Sequence, residues 1–206
     1  MFTASSPIRR FDEEEKKDEK EEKKPSGPDF ADKFLKTRTI LLSGEVDKAL
    51  AEKVIRQLLI LEAESDEPIK IMIDSPGGDV DAGYAIFDMI RFVKPKVITV
   101  GMGLVASAGA LILLASPKDD RVGLPNSHYL IHQPLSGIRG VATEIEIHAQ
   151  ELEKLRVKIN KLISEETGTD LAKVEKDTDR DFWMSADEAL DYGLLSKVIT
   201  QREDLA

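Results

Sequence analysis

From Thr37 onward, short apolar runs alternate with stretches of helical period. Thr39–Leu42 reads as a strand, and Leu50, Val54, Leu58 and Leu61 then recur at the spacing that collects side chains on one helix face, before Ile69–Ile73 returns to a strand. A second unit repeats this with Val80, Tyr84, Phe87 and Ile90 at helical spacing, followed by Val97–Val100. A third has an apolar segment from Ser107 to Ala115 and a turn at Pro117–Asp120. Strands separated by helices pair in parallel, so the pattern predicts an α/β fold of successive β-α-β units. The longest helical pattern runs from about Thr143 to Glu166 through Ile145, Leu152, Leu155, Ile159 and Leu162, with Thr143 placed to cap its start and Gly168 its end. At 1.5 Å per residue it is about 36 Å long. That exceeds what one small domain needs, so the helix is expected to protrude and pack against a neighbour. Ser185 and Glu188 form a capping-box pattern for a short helix that stops at Gly193, before a last strand at Leu194–Ile199.

Ahead of this pattern, every residue from Asp12 to Lys24 is charged, and Pro25, Gly27 and Pro28 close the run. Such a segment has nothing to bury, so 1–28 is expected to be a flexible charged tail and 29–206 the folded domain. The 206 residues suffice for one core. The longest apolar run, near 104–116, is interrupted by Ser107 and falls short of the ~20 residues that span a bilayer. No apolar stretch near Met1 resembles a secretory signal, so a cytoplasmic location is expected. Zero cysteines exclude disulfides, thiolate ligands and a cysteine nucleophile, and three histidines in unrelated spacings predict no metal site. The net charge of −10 argues against nonspecific binding to nucleic acid, which needs a basic face.

Two glycine-containing segments follow predicted strands, Asp74-Ser75-Pro76-Gly77-Gly78 and Gly101-Met102-Gly103-Leu104-Val105-Ala106-Ser107-Ala108-Gly109. In open α/β sheets ligands bind at the carboxyl ends of strands, where both lie. Adjacent glycines can aim backbone N–H groups at developing negative charge; the local alternative is a tight turn that needs positive φ. Ser107 stands at the start of an apolar helix, a setting that suits a nucleophile, although an ordinary N-cap is the more common reason for a serine there. Of the histidines, His128 in a polar turn and His148 inside the long helix read as solvated or structural. His132 ends a short apolar strand just before Pro134, where a general base can be held rigidly. A carboxylate to orient it is sought in Asp177-Thr178-Asp179-Arg180-Asp181-Phe182-Trp183, where Phe182 and Trp183 are expected to anchor Asp181 toward the interior. Spacing alone does not separate Asp181 from Asp179.

Taken in order, the segments Ser75-Pro76-Gly77-Gly78, Ala106-Ser107-Ala108-Gly109, Ile131-His132-Gln133-Pro134-Leu135, Ala142-Thr143-Glu144-Ile145-Glu146-Ile147, Asp177-Thr178-Asp179-Arg180-Asp181 and Ser185-Ala186-Asp187-Glu188-Ala189 resemble those of the Clp protease proteolytic subunit family, ClpP. The resemblance spans about Thr37 to Ile199. It implies a crotonase-like spiral of β-α-β units with a protruding handle helix and the activity of a serine endopeptidase that hydrolyses unfolded proteins and peptides. Ser107 is implied as nucleophile, His132 as general base and Asp181 as its orienting carboxylate, with the N–H groups of Gly78 and Ala108 as oxyanion hole. Two stacked heptameric rings are implied, joined through the long helix, with Asp179 and Arg180 pairing across that interface. An AAA+ Clp unfoldase is implied as partner; ATP would bind there, and this chain needs no cofactor.

Several positions depart from the family pattern. Residues 1–36 do not carry its usual N-terminal segment. Lys70 and Met72 stand where relatives commonly place aromatic residues that help receive the unfoldase. Ala108 replaces a common Met, and Asp74 a common Asn. Lys70 and Met72 bring in an alternative, a paralogue-dependent subunit of a mixed ring; a non-catalytic structural subunit is another, against which the presence of Ser107, His132 and Asp181 together argues. A further alternative is an acyl-CoA enzyme of the crotonase fold, which would leave the Ser-His-Asp set without a purpose.

Overall fold

A computed structural model of the chain describes residues 30–205; the charged tail expected at 1–28 lies outside them. Helix α1 (Phe30–Leu35) leads into β1 (Thr39–Ser43), α2 (Lys48–Glu64), β2 (Ile69–Ser75), α3 (Val80–Phe92), β3 (Val97–Ala106) and α4 (Ala108–Leu113). Then come β4 (Arg121–Gly123), β5 (His128–Ile131), the long α5 (Ala142–Thr167), α6 (Leu171–Asp177), β6 (Phe182–Ser185), α7 (Ala186–Tyr192) and β7 (Lys197–Val198). The sheet runs β1-β2-β3-β4-β7 with all neighbours parallel, as the β-α-β rhythm requires. Strand β3 forks this sheet. Its Thr99–Gly101 lies against β4, whereas Leu104–Ala106 turns to β5, to which β6 adds antiparallel.

The core follows from the two periodicities. In α2, which Asp47 caps by accepting from the Leu50 N–H at 2.7 Å, the buried side chains are Ala51, Val54, Leu58 and Leu61. In β2, Ile69, Ile71 and Ile73 are fully buried while Lys70 and Met72 point to the opposite face. The first face packs against α2, α3 and α4 to make the large core. The second face carries, among the described residues, a small cluster of Ile98, Val100, Val122 and Ile199, against which Met72, Leu124 and Leu205 pack.

The structure differs from the sequence reading in three places. The expected turn at Gly101-Met102-Gly103 is strand, because its glycines serve close approach. A Cβ on Gly101 would lie 2.4 Å from the Tyr129 hydroxyl, and one on Gly103, at φ +55°, 2.6 Å from the Asp74 carboxylate. Asp74 in turn accepts from the Leu104 N–H at 3.0 Å, beside the point where the β2–β3 register slips. Helix α5 begins at Ala142, not at a Thr143 cap; the Glu144 carboxylate accepts from the Val141 N–H at 3.3 Å and closes the first turn. The final strand is only Lys197–Val198. Gly168, at φ 77°, and Gly193, at φ 90°, end α5 and α7 in the left-handed conformation as anticipated.

Helix α5 is 26 residues long, yet its buried residues are Ile159, Asn160, Ile163 and Thr167, all in the C-terminal half. Ile145 and Ile147 of the N-terminal half are exposed. The helix is therefore anchored at one end and stands away from the body at the other. Among the described residues no helix is long and apolar enough to cross a membrane.

The anchored end is tied by charge. Arg121, 1 % exposed, donates from Nε to the Ser116 carbonyl at 2.7 Å and from Nη1 to the Glu166 carbonyl at 2.8 Å, and pairs with the Glu166 carboxylate through Nη2. Arg91 holds the other oxygen of Glu166 at 2.6 Å. Burial lowers the pKa of the Arg121 guanidinium and Glu166 opposes that shift, so the pair stands or falls together. Glu166→Ala leaves a buried unpaired cation, and the expected loss is about 3 kcal/mol, read as a fall in the urea midpoint at unchanged slope. Arg121→Met with Glu166→Leu, which removes both charges, should cost less than Glu166→Ala alone.

Candidate active site

The junction of β3 and α4 carries Ser107. Its backbone lies at φ 54°, ψ −120°, a conformation costly for a residue with a Cβ, and its side chain makes no capping bond to the helix that follows. The N-cap alternative is thereby excluded: the hydroxyl is turned away from the helix N–H groups. The Ser107 N–H donates to the Leu130 carbonyl at 2.9 Å, which ties the junction to β5.

One residue beyond β5 stands His132. Its Nε2 lies 2.8 Å from Ser107 Oγ and its Nδ1 3.0 Å from Asp181 Oδ1. A carboxylate at Nδ1 keeps the proton there, which leaves Nε2 to accept from the serine hydroxyl. The segment carrying Asp181 is fastened at both ends. Phe182, the next residue, opens β6 opposite Ile131 of β5, and the Gln133 N–H donates to the Thr178 carbonyl at 2.7 Å.

Of the two carboxylates that spacing left open, Asp181 meets the imidazole; the Asp179 carbonyl accepts from Gln133 Nε2 at 2.6 Å. The expectation that Phe182 and Trp183 anchor Asp181 inward is not met. The Asp181 side chain is 62 % exposed and Trp183 is exposed, because β6 is an edge strand whose outward side chains meet no further layer among the described residues. Among the described residues neither Asp179 nor Arg180 forms an intrachain salt bridge. His128 begins β5 instead of lying in a turn, and His148 pairs with Ser136 Oγ at 2.8 Å, apart from Ser107.

The glycine turn after β2 lies against the serine. A Cβ on Gly77, at φ +91°, would come 2.6 Å from Ser107 Cβ and 2.7 Å from the Ala106 carbonyl. The turn is braced by Ser75, whose hydroxyl donates to the Gly44 carbonyl at 2.6 Å and accepts from the Gly77 N–H at 3.1 Å. Val46 bridges it by donating to the Gly77 carbonyl and accepting from the Asp79 N–H, so the N–H of Gly78 between them stays out of the bridge. The N–H of Ala108, first in α4, has no carbonyl of its own helix to meet. Ala108 adjoins the serine in sequence, and the turn that carries Gly78 packs against it through Gly77.

Beside Ser107 opens an apolar recess lined by Val80, Leu111, Leu114, Ile159 and Ile163, and on the other side of His132 an open groove of about 670 Å³ reaches Asp179 and Arg180. Sequence reasoning did not reach the recess. The helical period marks Ile159 as apolar, but nothing local says that α5 crosses beside Ser107. A serine hydroxyl that caps no helix and an imidazole oriented to accept its proton are equipped for acyl transfer. Gly77→Ala, which forces the turn off Ser107, should lower the rate at which a fluorophosphonate labels Ser107 by about 100-fold or more, as misplacement near 1 Å does. Gly44→Ala has the same φ handicap but nothing within 4 Å of its Cβ, so it should leave that rate within about threefold and cost about 1–2 kcal/mol of stability.

Comparison with known proteins bears on the whole chain. The sequence profile of the Clp protease family matches residues 21–202. The chain is 68% identical over 174 residues to ATP-dependent Clp protease proteolytic subunit 2 of Treponema denticola, covering 84% of this chain and 87% of that one. It is 47% identical over 192 residues to proteolytic subunit 3 of Rhizobium etli, covering 93% and 99%. Among solved structures, a ClpP1 mutant from Listeria monocytogenes superposes with a TM-score of 0.80 at 50% identity, covering 84% of this chain and 98% of that one. With a matching profile over most of its length, and relatives of this identity and coverage, the chain belongs to the Clp protease family of proteolytic subunits.

Proposed function

We propose that this serine peptidase of the Clp type works through Ser107 as nucleophile, His132 as general base and Asp181 as the carboxylate that orients it. The observation that carries the reading is the unbroken chain of contacts, 2.8 Å from Ser107 Oγ to His132 Nε2 and 3.0 Å from His132 Nδ1 to Asp181 Oδ1. Ser107 Oγ attacks the peptide carbonyl carbon while its proton passes to His132 Nε2. The N–H groups of Gly78 and Ala108 receive the charge that develops on the carbonyl oxygen. His132 then gives the proton to the leaving nitrogen, the C–N bond breaks, and water admitted by the same base hydrolyses the acyl-serine. No step needs a metal or cofactor held by this chain.

The family implies assembly into a Clp protease complex. We infer two stacked heptameric rings that meet through the exposed half of α5, whose apolar Ile145 and Ile147 need cover, with Asp179 and Arg180 pairing across the junction. An AAA+ unfoldase that consumes ATP would feed unfolded polypeptide to the chamber. A second reading, a mixed ring with a paralogous subunit, is favoured by Lys70 and Met72 on the thinly covered sheet face, since they depart from the aromatic pattern tied to unfoldase docking. The subunit numbers 2 and 3 in the names of relatives accord with it.

A fluorophosphonate should give one adduct, mapped to Ser107, on the purified assembly. Ser107→Ala and His132→Ala should each lower peptide turnover by about 10⁴-fold or more, and Asp181→Asn by about 10⁴-fold. Absence of an adduct in an assembly whose native mass is that of fourteen chains would overturn the active homomeric reading and favour the mixed ring.

A further inference from the structure

Asp181 is mostly exposed, and the one side-chain hydrogen bond recorded for its carboxylate is the one to His132. Among the described residues no second side chain hydrogen-bonds that carboxylate, so its place depends on how the backbone from Thr178 to Phe182 is fixed. The Phe182 end is a strand pair. The other end rests on a buried polar contact between two elements far apart in sequence. Thr178, 1 % exposed, lies with its hydroxyl 2.8 Å from the Asn160 side-chain amide and 2.9 Å from the Val174 carbonyl. Asn160 is 3 % exposed and sits on the anchored half of α5, between Ile159 and the recess-lining Ile163.

A hydroxyl has one proton and cannot donate to two oxygens. Both contacts become hydrogen bonds when the Asn160 amide turns its NH₂ toward Thr178 Oγ1, which accepts it and donates to Val174. Asn160 then holds the Thr178 hydroxyl from the helix side, and the Thr178 carbonyl receives the Gln133 N–H next to His132. The chain of contacts runs from α5 through Thr178 to the residue that follows the imidazole.

We propose that Asn160 is a positioning residue for the Ser107-His132-Asp181 set, acting through the Thr178 hydroxyl to keep the Asp181 segment in register with His132. The inference rests on the triad reading above. It gives the anchored half of α5 a task beyond packing: the helix that stands off the body at one end fixes the carboxylate loop at the other.

The test measures the second-order rate of Ser107 labelling by a fluorophosphonate in the assembled protein, with thermal unfolding as a control on fold. Asn160→Leu keeps the volume and leaves the Thr178 hydroxyl its Val174 acceptor, so no buried group is stranded. The expected result is a fall of about 10- to 100-fold in labelling rate. Thr178→Val should give a similar fall, and Thr178→Ser, which restores the hydroxyl, should recover most of it. In an Asp181→Ala background, Asn160→Leu should change the rate by less than about twofold, because the group it positions is gone. An unchanged rate in Asn160→Leu overturns the proposal. So does a fall that multiplies with that of Asp181→Ala, or a Thr178→Ser variant as slow as Thr178→Val, since each would mean general loss of structure. Should Asn160→Leu fail to fold, the Thr178 pair and its cycle with Asp181→Ala decide by the same outcomes. Failure of the triad reading is separate and shows first, as a parent protein without a Ser107 adduct.

Discussion

The site depends on a backbone constraint at one residue. Ser107 joins a parallel strand to a helix at φ 54°, and only because the chain turns there in this way does its hydroxyl point off the helix axis. An L-residue held in that region costs on the order of 1–3 kcal/mol, so the surroundings must impose it. They do so from three sides. Every residue of α4 is buried, the Ser107 N–H is bound to Leu130 of β5, and the Gly77 turn lies so close that no side chain fits between. The forking of β3 serves the same end, for Leu104–Ala106 must leave β4 and join β5 if Ser107 is to arrive beside His132.

Helix α5 shows how one element takes two tasks. Its C-terminal half is fixed by Ile159, Ile163 and the Arg121–Glu166–Arg91 cluster, and it walls the recess beside Ser107. Its N-terminal half carries apolar residues that no layer buries among the described residues. An apolar stripe of this kind is stabilised by a partner surface, and a Clp complex supplies subunits to provide one. The exposure of Asp181 and Trp183 belongs to the same description, since both lie on the side of the molecule where β6 is an edge.

The two faces of the sheet differ in a way that bears on the proposed assembly. One face is covered by α2, α3 and α4 and holds the main core. Among the described residues the other has a small cluster around Val100 and Val122, with Lys70 and Met72 standing where β2 alternates outward. A thinly covered face with a cation and a thioether is a different surface from an aromatic one, both in polarity and in the stacking it offers. In the proposed assembly a change there would alter what docks without replacing Ser107, His132 or Asp181.

Much of this was legible in the sequence because it rests on local rules. The period of Leu50, Val54, Leu58 and Leu61, the alternation in Ile69–Ile73, the Ser185–Glu188 capping box and the glycines at 168 and 193 each state a geometry that the structure adopts. The resemblance to a known family named Ser107, His132 and Asp181 from the order of six short motifs. What sequence did not decide was whatever depends on residues distant in the chain. Gly101 and Gly103 looked like a turn because glycine alone does not say whether it serves a bend or the approach of Tyr129 and Asp74. Ser107 by its local sequence looked more like a cap than a nucleophile, since the difference is a dihedral angle set by β5 and the Gly77 turn. The choice between Asp179 and Asp181 was settled by strand pairing, Ile131 opposite Phe182, which brings one carboxylate to the imidazole and sends the other away. Local propensity and periodicity act over a few residues and are written in the chain; the meeting of Ser107, His132 and Asp181 is a long-range pairing, and only the packed sheet determines it.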